Sequence, residues 1–391
     1  MKETRVGFTL IGGAGWTGGR AYLTNLLRAV ASDSETPLSS VVFVGDNVSD
    51  EEVGPLGAIR NVEVVRSGAF TADRTTRQLL TTFVRGTNAP AVREFLRHDV
   101  NVVFENASFY GRNCPIPAIA WLPDFQHHRL RSLFSRRSFW RRELGFRAQL
   151  AGGRTIMLSS EDSRSDCERY YPSSIGRTFV VHFAAFIEQM ALEADPWKRV
   201  REYDLPAKFL YLPNQFWTHK NHRAVIEALG ILKYRGRDIV VAASGNPVDD
   251  RNPEHFSALQ RRIEELDVAN NFRVLGLIPR AHLVSLLRSC TALINPSFFE
   301  GWSTTVEEAR ALGVPMILSD IGTHREQMGE RAIYFDPGNA ADVADKLEYY
   351  FVTATPPSQA RAPRDQNRDE VARFAREFAR VVARARETFR Q

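Results

Sequence analysis

Leu293-Ile-Asn-Pro-Ser-Phe-Phe-Glu-Gly-Trp-Ser-Thr-Thr-Val-Glu-Glu-Ala-Arg-Ala-Leu-Gly-Val-Pro-Met-Ile-Leu-Ser319 alternates between two kinds of local order. Thr291 to Ile294 is a short apolar run and reads as a buried strand. Asn295 to Trp302 reads as a loop, marked by Pro296, Ser297 and Gly301. Ser303, Thr304 and Thr305 then offer N-cap hydroxyls, and Thr305 and Glu308 have capping-box spacing. The helix runs to about Leu312, where Gly313 and Pro315 stop it. Pro315 to Ser319 is the next buried strand. Strand, loop, helix and strand make a βαβ unit of a parallel sheet. In such sheets ligands sit beyond the carboxyl ends of the strands, which is where Glu300 falls. The helix N-terminus beside it has free N–H groups suited to a phosphate.

On spacing alone, Glu308 reads as a capping-box partner and Glu300 as a solvated loop acid. A resemblance adds a second reading. Glu300-Gly-Trp-Ser-Thr-Thr-Val-Glu-Glu308-Ala309 resembles the signature of the retaining GT-B glycosyltransferases of family 4, Glu-Gly-Phe-Gly-Leu-Pro-x-x-Glu-Ala, followed by Gly-x-Pro-Val-Ile. The resemblance implies that Glu300 contacts the donor sugar and Glu308 the nucleotide ribose. It also implies that the backbone of Ser303, Thr304 and Thr305 reaches the diphosphate. Trp302, Ser303 and the Thr304-Thr305 pair depart from the family's Phe, Gly and Leu-Pro.

A chain of 391 residues is too long for one ordinary core, so two domains are expected. Apolar and charged fractions of 43% and 25% are those of a globular protein in water. No run of eighteen apolar residues occurs, so no membrane-spanning helix is expected, and Met1 to Gly7 leads into a strand rather than a signal peptide. Three scattered cysteines, Cys114, Cys167 and Cys290, fit reduced cytoplasmic thiols and no metal motif. A net charge of +5 suggests anionic partners, among which nucleic acid is not expected.

In the first half, a strand over 6–11 leads into Gly12-Gly-Ala-Gly-Trp-Thr-Gly-Gly19 and a helix over 21–30. Gly13, Gly15 and Gly18 spell the G-x-G-x-x-G of dinucleotide binding, with Asp46 late for the usual ribose acid. That keeps an NAD(P)-dependent oxidoreductase as an alternative. The other readings are a glycine loop that approaches a sugar or diphosphate, and glycines for a tight turn only. Gly19 to Leu27 resembles the family's segment after such a loop. Strands continue at 41–45, 62–65, 102–105, 117–122, 154–158 and 178–183, with helices over 73–84 and 91–97. After 117–122 come Pro123-Asp-Phe-Gln-His-His128, and the resemblance passes the family's substrate-contacting histidine to His127, with His128 as fallback. The plain reading of both is a surface or core histidine.

Seven arginines and a single acid, Glu143, lie between Arg129 and Arg147. The plain reading is a solvated face over a core stripe of Leu133, Trp140 and Leu144. The functional reading is contact with an anionic membrane through Arg129, Arg136, Arg137, Arg141 and Arg142.

The segment 184–206 shows no strand or helix pattern and holds Pro196 and Pro206. It is read as the hinge. Beyond a strand over 208–212, His219, Lys220, His222 and Arg223 crowd the positive end of a helix over 223–234, which favours an anion between them. Their plain reading is solvated side chains. Lys220-Asn221 resembles the family's diphosphate contact, although Gln215 stands where the family usually has Arg. Gly276-Leu277-Ile278-Pro279 resembles the loop whose backbone pairs with the base. Thr353 to Arg364 reads as a linker and Asp369 to Phe389 as an amphipathic helix.

The expected fold is therefore α/β, GT-B, with two Rossmann-like domains facing a central cleft. The first covers 1–185 and binds acceptor, 186–206 is the hinge, and 207–352 binds the nucleotide sugar. Residues 353–391 are a linker and a helix returning to the first domain. The resemblance implies transfer of a sugar from a nucleotide-diphosphate donor to a glycan or lipid-linked acceptor, with retention and without metal or other cofactor. It would act in the cytoplasm, in surface-polysaccharide synthesis. Beside the oxidoreductase, a GT-B sugar-nucleotide epimerase and a non-catalytic sugar binder stay open.

Overall fold

The computed structural model describes residues 3–10, 17–71, 82, 84–106, 108–187 and 189–390. Gly13 and Gly15, and nearly all of the helix expected over 73–84, lie outside them. The chain forms two compact units, Met1–Phe186 with Arg368–Gln391, and Ile187–Asn367.

The first unit holds a seven-stranded sheet in the order β3-β2-β1-β4-β5-β6-β7. Its strands are β1 (Thr4–Thr9), β2 (Leu38–Val44), β3 (Val62–Arg66), β4 (Val102–Asn106), β5 (Ala118–Trp121), β6 (Thr155–Leu158) and β7 (Thr178–Val180). Every pairing is parallel. Residues of β4 are buried along its whole length, as expected of a strand covered on both faces.

The second unit repeats the plan with six parallel strands, β10-β9-β8-β11-β12-β13. These are β8 (Leu210–Leu212), β9 (Val241–Ser244), β10 (Phe272–Gly276), β11 (Ala292–Asn295), β12 (Met316–Ser319) and β13 (Ile333–Phe335). Its core joins Leu210, Val241, Ile294 and Ile317 of the sheet to Val225, Leu229 and Leu232 of the helix His222–Tyr234. In both sheets the strand order reverses beside the first strand, between β1 and β4 and between β8 and β11. Such a switch point opens a crevice at the carboxyl ends of the two strands.

Two expectations change. The segment 184–206 is not structureless. It contains helices Gln189–Glu193 and Pro196–Glu202, the second capped by Asp195 with proline in its first turn. Nη1 of Arg288 donates to the carbonyls of Ala191 (3.2 Å) and Ala194 (3.0 Å), which ties this segment into the second unit. The coil before the last helix is tied there too. Nε of Arg288 donates to the Arg361 carbonyl at 2.8 Å, and the Arg364 amide to the Ala311 carbonyl at 2.8 Å.

The last helix, Gln366–Arg390, buries Phe374 and Phe378 in the first unit. Phe378 packs on Phe8 and Phe104 with ring centroids 6.0 and 5.9 Å away, and Phe374 on Phe183 at 5.7 Å. The chain's end therefore completes the unit its beginning starts.

Candidate functional site

The switch point of the second unit is built by residues just past β8 and β11. Asn214 Nδ2 donates to Asn295 Oδ1 at 3.0 Å and so links the two strand ends. Asn295 Nδ2 in turn donates to Ser303 Oγ at 3.0 Å and lies 3.4 Å from Glu300 Oε1. The hydroxyl of Ser297 lies 2.7 Å from the same Glu300 oxygen, and Lys220 Nζ donates to it from 2.7 Å. Thr323 Oγ1 donates to the Glu300 carbonyl at 2.8 Å. A Cβ on Gly245 would fall 2.3 Å from the Asn214 carbonyl, so only glycine lets the loop after β9 lie against the loop after β8.

Glu300 is 8% exposed. Burial alone would raise its carboxyl, but the Lys220 ammonium, His324 and the hydrogen bonds from Lys220 and Ser297 outweigh that and hold it at about 2. It is therefore an ionised acceptor, not an acid. All its side-chain bonds among the described residues fall on Oε1, which leaves Oε2 for a ligand.

The helix Thr304–Ala311 is capped differently from the expectation. Ser303 is the N-cap, no side chain closes a capping box, and Gly313 at φ 64° follows the end of the helix. Glu308 instead receives Nη1 of Arg280 on Oε1, while its Oε2 is buried without a partner. The Ser303 amide donates to Gln327 Oε1 at 3.3 Å, ahead of the first turn that begins at Thr304. Leu277 is exposed and Ile278 half-buried on the loop after β10.

The cationic cluster at 219–223 also changes. His222 is fully buried and stacks on Phe216 at 4.3 Å, and burial drives its imidazole down to about 3, so it carries no charge. Arg223 pairs with Glu227, which leaves Lys220 as the cation beside Glu300. Gln215 Oε1 accepts from the Asn246 amide at 2.6 Å, a structural tie rather than a charge.

In the first unit, His127, read from the sequence as a substrate contact, lies in the short helix Gln126–Arg129 after β5. It is 0% exposed, packs on Phe139 (5.5 Å) and Phe146 (5.3 Å), and its Nε2 lies 3.5 Å from Glu143 Oε2. Burial, with help from Arg142, lowers it to about 4. A strand-end position does not decide which way a side chain turns, and here the aromatic cage closes over it. His128 is partly open and lies 3.0 Å from Glu143 Oε2 and 3.2 Å from the Tyr171 hydroxyl.

The basic helix, Arg136–Ala151, turns a different face inward from the one expected. Glu143, Phe146 and Leu150 are buried, while Trp140 and Leu144 are 55% and 56% exposed. Arg129 is paired with Asp162 and Asp166, and Arg142 with Asp124. Arg136, Arg137 and Arg141 are exposed and have no ion pair among the described residues.

Sequence reasoning missed Asn214, Asn295, Ser297, Arg280 and Gln327. Asn295 and Ser297 stood in the quoted stretch as loop formers, and their polar type at a buried strand end was the available signal. Arg280 had no signal, because its partner is 28 residues away.

Two doubly wound parallel units, with polar loops at the second unit's switch point, define the GT-B class of fold. Residues 195–361 match the family model described as Glycosyl transferases group 1. The chain is similar to the 2-deoxystreptamine N-acetyl-D-glucosaminyltransferase of Niallia circulans, 31% identical over 29% of this chain and 29% of that one. It is also similar to the O-antigen chain mannosyltransferase B of Escherichia coli, 23% identical over 50% of this chain and 51% of that one. The chain thus spans about half or less of the length of these curated relatives. The solved structure of Anabaena HepE with UDP and glucose shares the fold, with a TM-score of 0.64, 15% identity and 98% of each chain covered.

Proposed function

We propose that the protein is a retaining glycosyltransferase that takes its sugar from a nucleotide-diphosphate donor. The observation that carries this is the ionised, buried Glu300 held by Lys220, Ser297 and Asn295 at the switch point of the unit that matches the family model. In this reading Glu300 Oε2 accepts a hydroxyl of the donor sugar and Glu308 Oε2 a hydroxyl of the ribose. Lys220 and the Thr304 and Thr305 amides take the charge of the leaving diphosphate, the need that dominates such a transfer, without a metal. Leu277 and Ile278 lie on the loop that receives the base. No nicotinamide role is assigned, since the matched relatives and family are glycosyltransferases.

The acceptor is a glycan or a lipid-linked saccharide, and the process surface-polysaccharide synthesis in the cytoplasm at the inner face of the membrane. The name of the Escherichia coli relative supports the process. Among the described residues no helix is long and apolar enough to cross a membrane. A membrane contact is placed on Arg136, Arg137, Trp140, Arg141 and Leu144, where unpaired cations flank exposed apolar side chains.

The test is a thermal-shift panel of UDP, GDP, ADP, CMP, dTDP, NAD and NADP, followed by turnover with the matching sugar nucleotide. Stabilisation grows with the logarithm of ligand over Kd, so millimolar ligand reveals a micromolar site. Stabilisation by one nucleoside diphosphate and sugar transfer to an acceptor support the reading. Stabilisation by NAD or NADP alone overturns it.

A further inference from the structure

Arg280 opens the helix Arg280–Ser289, directly after the loop Gly276-Leu277-Ile278-Pro279. Its Nη1 donates to Glu308 Oε1 on the helix Thr304–Ala311 at 2.5 Å. Glu308 is 3% exposed, yet its Oε2 is buried with no hydrogen bond, while the Arg280 side chain is 46% exposed. One carboxylate oxygen is thus fastened and the other is bare. A buried charged acceptor without a donor is costly, and a ligand that brings a hydroxyl relieves that cost.

We propose that Arg280 is a positioning residue for the ribose of the donor nucleotide: it fixes the Glu308 carboxylate so that Oε2 is held ready for a ribose hydroxyl. The proposal rests on the donor site read above and adds a residue to it. A carboxylate held at one oxygen by a guanidinium cannot rotate freely, and Arg keeps its charge at every relevant pH. The same contact joins the loop after β10 to the helix carrying Glu308, so the base side and the ribose side of the site share one fastening. A site built around a fixed acceptor rejects a ligand that lacks the matching hydroxyl, because the acceptor is then left unpaired.

The experiment is calorimetric titration of the full chain with UDP, GDP and ADP and with their 2′-deoxy and 3′-deoxy counterparts. The proteins are the unmodified chain, Arg280→Met, Arg280→Lys, Glu308→Gln and the Arg280→Met/Glu308→Gln pair. The unmodified chain is expected to prefer the ribonucleotide over at least one deoxy counterpart by about tenfold or more. Arg280→Met should lower that preference to within about threefold by weakening the ribonucleotide, and Arg280→Lys should keep part of it. With Glu308→Gln already present, Arg280→Met should change the ratio no further. If Arg280→Met does not fold, the Lys variant and the double variant, which leaves no unpaired charge, decide the ratio. Nucleotide binding with no ribose preference, or a preference untouched in the Arg280 variants, overturns the inference and leaves the donor reading standing. Failure of the unmodified chain to bind any nucleoside diphosphate overturns the donor reading itself.

Discussion

Lys220 Nζ and Glu300 Oε1 lie 2.7 Å apart, at 13% and 8% side-chain exposure, on loops that follow β8 and β11. In the free protein the cation assigned to the diphosphate is thus the counterion of the carboxylate assigned to the sugar. A diphosphate that draws on Lys220 loosens one bond on Glu300 while Ser297 and Asn295 keep its place.

Removing Lys220 alone should therefore be harsh. Lys220→Met leaves Glu300 buried and unpaired, which costs about 3–5 kcal/mol of stability. It should also weaken nucleoside-diphosphate binding at least about tenfold, as loss of a charged hydrogen bond implies. Urea denaturation and calorimetric titration measure the two. Glu300→Gln should keep nucleotide binding and lower transfer by about a hundredfold or more, as loss of a fixed electrostatic contact does. Near-normal transfer by Glu300→Gln would remove its assigned role.

His127 supplies a test of opposite sign. Glu143 keeps His128, Arg147 and Tyr171 without His127, so the buried imidazole in its phenylalanine cage should be replaceable by an apolar ring of similar shape. His127→Phe is expected to fold with an unchanged or higher Tm and to keep transfer activity. Loss of transfer with intact folding and intact donor binding would return His127 to the site.

Acid should weaken the fold before it reaches Glu300. Burial holds His127 and His324 at about 4 and His222 at about 3, below the ordinary imidazole value of about 6.5. Between about pH 6.5 and those folded values the unfolded chain binds protons that the native chain refuses. Stability is therefore full above about pH 6.5 and falls as pH drops toward 4. The Glu300 contribution runs lower, present above about 4.3 and lost toward about 2. Denaturation midpoints at a series of pH values trace this curve, and His127→Phe should flatten its upper part.

The exposed face of Arg136–Ala151 predicts binding to anionic vesicles. Three arginines near such a surface contribute about 1 kcal/mol each, so changing Arg136, Arg137 and Arg141 to Gln should lower partitioning roughly a hundredfold. Trp140→Ala with Leu144→Ala should weaken what remains at high salt. Sedimentation with anionic and neutral vesicles measures both, and equal binding to the two kinds of vesicle would discard the contact.

Phe378 tests how far the last helix belongs to the first unit. It is fully buried against Phe8 and Phe104. Phe378→Ala should cost about 3–5 kcal/mol in denaturant unfolding, and a cost under about 1 would mean that the helix is dispensable.

Much of this was written in local pattern. Apolar runs of four to six residues bounded by glycine, proline and hydroxyl residues located most of the strands, β13 at Ile333–Phe335 to the residue. Glu300 and Glu308 were legible because one loop and one helix, close in sequence, carry both. The register of the Arg136–Ala151 helix was not legible. Trp140 and Leu144 are apolar at helical spacing, but the neighbouring stripe through Phe139, Glu143, Phe146 and Leu150 turned inward. It did so because Glu143 there meets Tyr171, His128 and Arg147.

By itself the sequence determined the alternation of strands and helices, two parallel sheets, and the loop bearing Glu300. Those properties depend on periodicity and turn chemistry within about ten residues. Only the tertiary structure decided that Lys220 pairs with Glu300, that Arg280 fastens Glu308, and that His127 is sealed among phenylalanines. Each of these joins side chains from different elements. Their meeting is set by how helices pack on sheets and by which buried charge finds a partner, and no local pattern encodes that.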